Sequence, residues 1–140
     1  MQLKQTSKRL VIAGTLFIWI IKFVVRPLYP EHDAVLFFLG IAPNLFGSFL
    51  IPFGAYWFFS GRNFLVARIF RIRSAYDLRL VCLIGMGMLL VNEYLQLIPF
   101  FGRTFDLYDI VFSSVGLLSS YFVFARMQQR YGMQAAGLNK

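Results

Sequence analysis

The chain has 140 residues, 59% of them hydrophobic and 14% charged, with a formal net charge of +8. Soluble domains carry about 25% charged residues, and a soluble fold of this length has too little interior for 17 phenylalanines beside so many aliphatic residues. The composition therefore excludes an ordinary soluble domain and points to one all-α integral membrane domain over residues 1–140.

The positive charge does not indicate nucleic acid, because the basic residues flank apolar runs as topology signals do. Met1 to Arg9 is polar and basic, and Leu10 to about Leu28 is the first apolar run. A basic start before an apolar core resembles a signal peptide. The bulk of Ile, Trp and Phe and the lack of a small-x-small cleavage site argue for a retained membrane helix. Lys22 lies near its far end, where it can snorkel to headgroups. A short polar loop from Arg26 to Asp33 follows, with Pro27 and Pro30.

Ala34 to Phe59 is the second run, interrupted by Pro43-Asn44 and Pro52-Phe53-Gly54. It exceeds the roughly 20 residues a crossing requires, and its prolines predict kinks whose freed carbonyls are satisfied by neighbours. Tyr56 and Trp57 suit an interfacial aromatic belt. Ser60 to Arg79 carries Arg62, Arg68, Arg71, Arg73 and Arg79 against Asp77 alone, interleaved with Phe64, Leu65, Ile69, Phe70 and Ile72. This reads as a basic loop or a helix lying on the membrane surface; a topology signal explains the arginines without invoking anionic lipid recognition.

Leu80 to Phe101 is the third predicted span and Leu107 to Ala125 the fourth, with a polar, frayed tail from Arg126 to Lys140. Cys82, the only cysteine, lies within an apolar run and reads as a small buried residue. One cysteine and one histidine, His32, make neither a disulfide nor a metal-ligand cluster, so no metal or cofactor is expected. Four spans place both termini on one side, together with Lys4, Lys8, Arg9, the five loop arginines, Arg126, Arg130 and Lys140. The positive-inside rule puts that side in the cytoplasm. The expectation is a multi-pass protein of the plasma (inner) membrane, with Glu31, His32, Asp33, Arg103, Asp106 and Asp109 on the outer side.

The polar residues concentrate in one stretch, Asn92 to Gly116, which holds three of the six acidic residues. A carboxylate in an apolar span costs about 2.5–3.5 kcal/mol at the bilayer centre, so it pairs, reaches water or serves a function. Asn92, Glu93 and Gln96 share an arc of about 100° on the third helix with Gly85; Asp106, Asp109, Ser113, Gly116 and Ser120 share about 80° on the fourth. Lipid cannot satisfy such stripes, so they are expected to face each other, with Arg103 in the turn pairing with Glu93, Asp106 or Asp109. The bland reading is interhelical glue, with Asp106 capping the fourth helix. The functional reading is a pocket opening to the outer leaflet.

Glu93-x-x-Gln96, Gly102-Arg103-x-x-Asp106-x-x-Asp109 and Gly116, with Asn44 and Pro52-Phe53-Gly54 upstream, resemble the signature of the VanZ-like membrane family. The resemblance covers about Asn44 to Gly116, with the basic loop unmatched. Ser113 stands where that family usually has Asn, so a role needing an amide there does not carry over. The resemblance implies a small four-helix protein of the bacterial cell envelope, in a family linked to resistance to the glycopeptide teicoplanin. It marks Asn44, Glu93, Gln96, Arg103, Asp106 and Asp109 as the ligand-binding set.

Four functions fit these residues. A binding or accessory protein would take a polar headgroup or amphipathic ligand at the outer leaflet. An enzyme would use carboxylates and an arginine to position a phosphate or a water, although His-Glu-x-x-His and Gly-x-Ser-x-Gly are absent. A small transporter would use Glu93 as a proton-coupled carboxylate. A packing subunit would present Phe-rich faces to other membrane proteins. The non-enzymatic binding role is the reading preferred.

Overall fold

The computed structural model describes residues 2–29, 33–95 and 106–137, with side chains as far as residue 131. Among these residues every regular element is helical, and four helices are long and apolar enough to cross a membrane: Gln2–Leu28, Asp33–Phe59, Ala75–Leu95 and Leu107–Tyr131. They are called the first to fourth helices below. A short helix, Leu65–Phe70, links the second to the third, and the fourth continues to Gly137.

Three boundaries differ from those the sequence suggested. The first helix starts at Gln2 instead of Leu10. Its polar opening turns are held because Leu3 and Ser7, one turn apart, are buried, while Thr6 Oγ1 lies 3.3 Å from the Tyr131 hydroxyl. The same contact explains why the fourth helix does not fray after Ala125: its extension covers the start of the first. The third helix begins at Ala75, five residues early. Ser74 and Asp77 form a reciprocal cap there. The Asp77 carboxylate accepts the backbone N–H groups of Arg73 and Ser74 at 2.9 and 3.0 Å, and Ser74 Oγ accepts the Asp77 N–H at 3.2 Å. These bonds satisfy donors that a helix start leaves without partners. The last part of the predicted third span, residues 96–101, lies outside the described residues.

The second helix is the hub of the bundle and packs against the other three. It runs unbroken through Pro43 and Pro52. Pro52 has no N–H for the Ser48 carbonyl. At that level the fourth helix supplies a donor, with Ser120 Oγ 2.5 Å from the Phe49 carbonyl. The second helix ends at Phe59, and Gly61, at φ +83°, turns the chain in the left-handed region that glycine adopts without strain. Lys4 Nζ donates to the Ser60 carbonyl at 3.0 Å, tying the start of the first helix to this end.

This packing corrects the expected pairing of stripes. The small residues of the third and fourth helices do not face each other: both turn to the second. A side chain at Gly116 would run into the Leu45 carbonyl and Ser48 Oγ, and one at Gly85 would meet Ile51 Cγ2 at 3.0 Å. The third and fourth helices do touch, but through other groups, such as Ser114 Oγ on Met86 Sδ at 3.7 Å and Arg79 Nε on the Tyr121 hydroxyl at 3.3 Å. The second helix is central to the bundle, and small and hydroxylated residues let its backbone be approached closely, as Gly116 and Ser120 do at the Leu45 and Phe49 carbonyls.

The apolar core lies toward the termini, where Leu3, Phe53, Ala55, Ile72, Leu78, Val81 and Phe124 cluster. Phe53 and Phe124 meet edge-on with centroids 5.3 Å apart, a favoured aromatic geometry. Ala67 and Ile72 anchor the basic connection to the bundle, while Phe64, Leu65, Val66 and Ile69 stay exposed.

Candidate functional site

The opposite end of the bundle is built differently. There the first helix ends, the second begins, the third ends and the fourth begins. Their polar residues line one cavity of about 550 Å³, within the range of about 300–1,000 Å³ typical of small-molecule sites.

The first helix contributes Lys22 and Arg26. Between Ile21 and Val25 the backbone widens into a π-helical turn, and the Arg26 N–H closes on the Ile21 carbonyl. Single π turns inside α-helices occur frequently at functional sites. Lys22 lies inside this turn and Arg26 directly after it, so both cations reach the same cavity. Lys22 Nζ also lies 5.8 Å from the centre of the Phe23 ring. Glu93, Asp106 and Asp109 line the same space as these two cations.

The second helix supplies the floor between Leu36 and Asn44, with Leu36, Phe37, Leu39, Gly40, Ile41 and Pro43 as its apolar part. Asn44 follows the proline and adds an amide. The third helix adds exposed Asn92 and buried Glu93, 6% exposed. The fourth adds Asp106 and Asp109. Asp106 also caps this helix: its Oδ1 accepts the Tyr108 N–H at 2.9 Å, and its carbonyl accepts the Asp109 N–H at 3.2 Å. A carboxylate at this position is favoured by the helix dipole as well as by the bond.

Among the described residues the first and third helices share no substantial packing, and residues of both line the cavity. The first helix brings the cations to this cavity, the third and fourth the carboxylates, and the second the apolar residues. Among the described residues no group of three or more His, Cys, Asp or Glu side chains is arranged to hold a metal ion.

Of the six residues singled out from sequence, Asn44, Glu93, Asp106 and Asp109 line this cavity. Gln96 and Arg103 lie outside the described residues, as do Glu31 and His32. Lys22, Arg26 and Asn92 join the cavity although sequence reasoning left them out of the set. Lys22 reads in sequence as a snorkelling lysine and Arg26 as a loop charge. Their spacing of four residues on one helix was the available signal, but what they face depends on which helices are neighbours.

Compared with known proteins, the sequence matches no family model, no curated protein and no solved structure.

Proposed function

We propose that this chain is a multi-pass membrane protein of the VanZ-like type, with both termini in the cytoplasm, and that it binds the polar part of an amphipathic ligand at the outer leaflet without catalysing a reaction on it. The observation that carries the reading is the cavity lined from all four helices by charged, amide and apolar residues together. Membrane insertion is supported by the inside-out surface. Among the described residues the buried polar ones are Ser7, Ser48, Glu93, Ser113 and Ser120, whereas Trp19, Phe38 and Phe122 are each more than 60% exposed. Soluble monomers rarely expose contiguous apolar surface on that scale. The orientation is supported by the basic residues, most of which cluster at the end opposite the cavity. The residues that carry the family resemblance, Asn44, Glu93, Asp106 and Asp109 among them, support the same location for binding.

Two measurements test this. In a Cys82→Ala background, an impermeant thiol reagent applied to intact cells labels a cysteine placed at Tyr29 and leaves one placed at Ser60 untouched; the reverse pattern overturns the orientation. Photoactivatable amphiphiles crosslink to the segment Leu36–Asn44. Crosslinks spread evenly over the outward faces of all four helices would count against a specific cavity.

A further inference from the structure

The connection between the second and third helices carries an apolar face that the bundle leaves uncovered. Its short helix, Leu65–Phe70, is fixed from one side only. There Ala67 is fully buried, Phe70 stacks on Phe59 with centroids 5.3 Å apart, and Ile72 enters the core. On the other side Leu65 is 76% exposed and shares an arc of about 100° with Arg68 and exposed Ile69. Phe64 and Val66 flank that arc and are exposed as well. The positive-inside rule accounts for the side on which the arginines of this connection lie. It gives no reason for large apolar side chains to stand uncovered among them.

What covers this face follows from its neighbours. Phe58, in the last turn of the second helix, is exposed on the outside of that span and meets Phe59 edge-on with centroids 5.1 Å apart. Phe59 in turn meets Phe64 at 6.1 Å. The outer surface of the span therefore continues into the connection, and what surrounds the end of a membrane-spanning helix is the boundary between acyl chains and headgroups. The charge beside the face is of one sign. Among the arginines of residues 60–79, Arg71 donates to Asn63 Oδ1 at 3.2 Å, Arg79 to the Tyr121 hydroxyl at 3.3 Å, and Arg73 belongs to the turn that Asp77 caps. Arg62 and Arg68 are exposed next to the apolar residues, and the Arg62 guanidinium lies 3.9 Å from the centre of the Phe58 ring, within cation–π range. Arginine binds phosphate oxygens through its planar fork. Apolar side chains flanked by arginines suit a segment lying in the interface of an anionic membrane.

We propose that residues 64–69 lie in the membrane interface with Leu65 and Ile69 among the acyl chains, and that Arg62 and Arg68 hold the phosphate of an anionic phospholipid there. This rests on the reading of the chain as membrane-spanning and is independent of the cavity at the other end.

The full chain, reconstituted into vesicles of phosphatidylcholine alone or mixed with phosphatidylglycerol, tests the seating of the segment. In a Cys82→Ala background, Leu65→Cys and Ile69→Cys each carry an environment-sensitive fluorophore; both native side chains are exposed, so neither substitution opens the core. Brominated acyl chains quench both probes, and acrylamide in the water does not. Native mass spectrometry of the purified chain tests the phosphate: at low salt phosphatidylglycerol is retained over phosphatidylcholine, and salt weakens the preference. Arg62→Gln and Arg68→Gln each lower it by about fivefold, the share of one basic residue near an anionic surface, and Arg68→Lys, which keeps the charge, lowers it less. Quenching by acrylamide alone overturns the interfacial seating. Shielding from acrylamide and brominated chains alike means that a protein surface covers the face, and overturns a lipid occupant. Quenching by brominated chains with a lipid preference insensitive to both glutamine variants overturns the phosphate assignment. A chain that does not enter vesicles at all overturns the membrane reading itself, which separates that failure from a misplaced connection.

Discussion

Ser120 on the fourth helix donates its hydroxyl to the backbone carbonyl of Phe49 on the second, at 2.5 Å, and its own side chain is fully buried. The bond lies beside the place where Pro52 leaves the Ser48 carbonyl without its intrahelical donor. Interhelical bonds of this kind contribute about 0.6–2 kcal/mol in membrane proteins. Ser120→Ala should therefore lower stability by about 1 kcal/mol, read as a reduced unfolding midpoint in mixed detergent micelles. Ser120→Thr, which keeps the hydroxyl but adds a methyl group at a packed position, tests whether bond or space dominates. An unchanged midpoint in Ser120→Ala would mean that water or Ser48 takes over the carbonyl.

Gly116 and Gly85 offer a graded comparison. A methyl group at Gly116 meets the Leu45 carbonyl and Ser48 Oγ, and a backbone carbonyl in a packed helix cannot step aside. At Gly85 the obstacle is Ile51 Cγ2, 3.0 Å away, and a side chain can shift by a few tenths of an ångström. Gly116→Ala should destabilise by about 1–3 kcal/mol, as overpacking does, and Gly85→Ala by under about 1 kcal/mol. Gly116→Leu should prevent assembly of the fourth helix on the second. Equal midpoints for the two alanine variants would show that the second and fourth helices approach less closely than described.

Much of this arrangement is legible in the chain, and its failures have physical causes. Long apolar runs betray helices of spanning length because a crossing needs about 20 residues whatever they pack against. Glu93, Asp106 and Asp109 stand out for the related reason that charge among apolar residues is costly. The partners of Gly116 and Gly85 were not legible. A stripe on one helix records that something approaches closely, and not which helix it is. Lys22 and Arg26 read as boundary charges because nothing in their own segment reveals that they share a cavity with residues of the other three helices. The early start of the third helix was readable: Ser74-x-x-Asp77 before an apolar run has the spacing of a capping box.

That cap supports a separate prediction. Asp77 accepts two backbone N–H groups, and Ser74 Oγ accepts a third. Gln128 Nε2 donates to the Arg73 carbonyl at 3.2 Å, so the same turn is tied to the fourth helix. Ser74→Ala and Asp77→Ala should each cost about 0.5–2 kcal/mol, and Asp77→Asn should cost less because an amide oxygen can still accept. Hydrogen exchange should accelerate at residues 73–78 in the alanine variants, with little change at the cavity end. Acceleration spread over the whole third helix would mean that the cap governs the span and not only its first turn.

Asp106 has two duties that substitution can separate. Its carboxylate caps the fourth helix through the Tyr108 N–H at 2.9 Å, and it also lines the cavity beside Asp109. Asparagine is about as good a cap as aspartate, whereas alanine loses the bond and about 1 kcal/mol with it. Asp106→Asn should therefore keep the unfolding midpoint close to that of the native chain, apart from the few tenths of a kcal/mol, about 0.3–1, that a charge gains from the helix dipole. Asp106→Ala should lower it further. Binding follows a different order if the charge matters to the cavity: both variants lose the same share of ligand affinity, because both remove the carboxylate. If the aspartate serves only as a cap, affinity follows stability and Asp106→Asn binds as the native chain does. Measuring unfolding midpoints and crosslinking by the photoactivatable amphiphile on the same two variants distinguishes the two duties. The cavity reading expects the asparagine variant to be folded and weakened in binding; a folded variant with undiminished crosslinking would remove Asp106 from the site and leave it to the helix it begins.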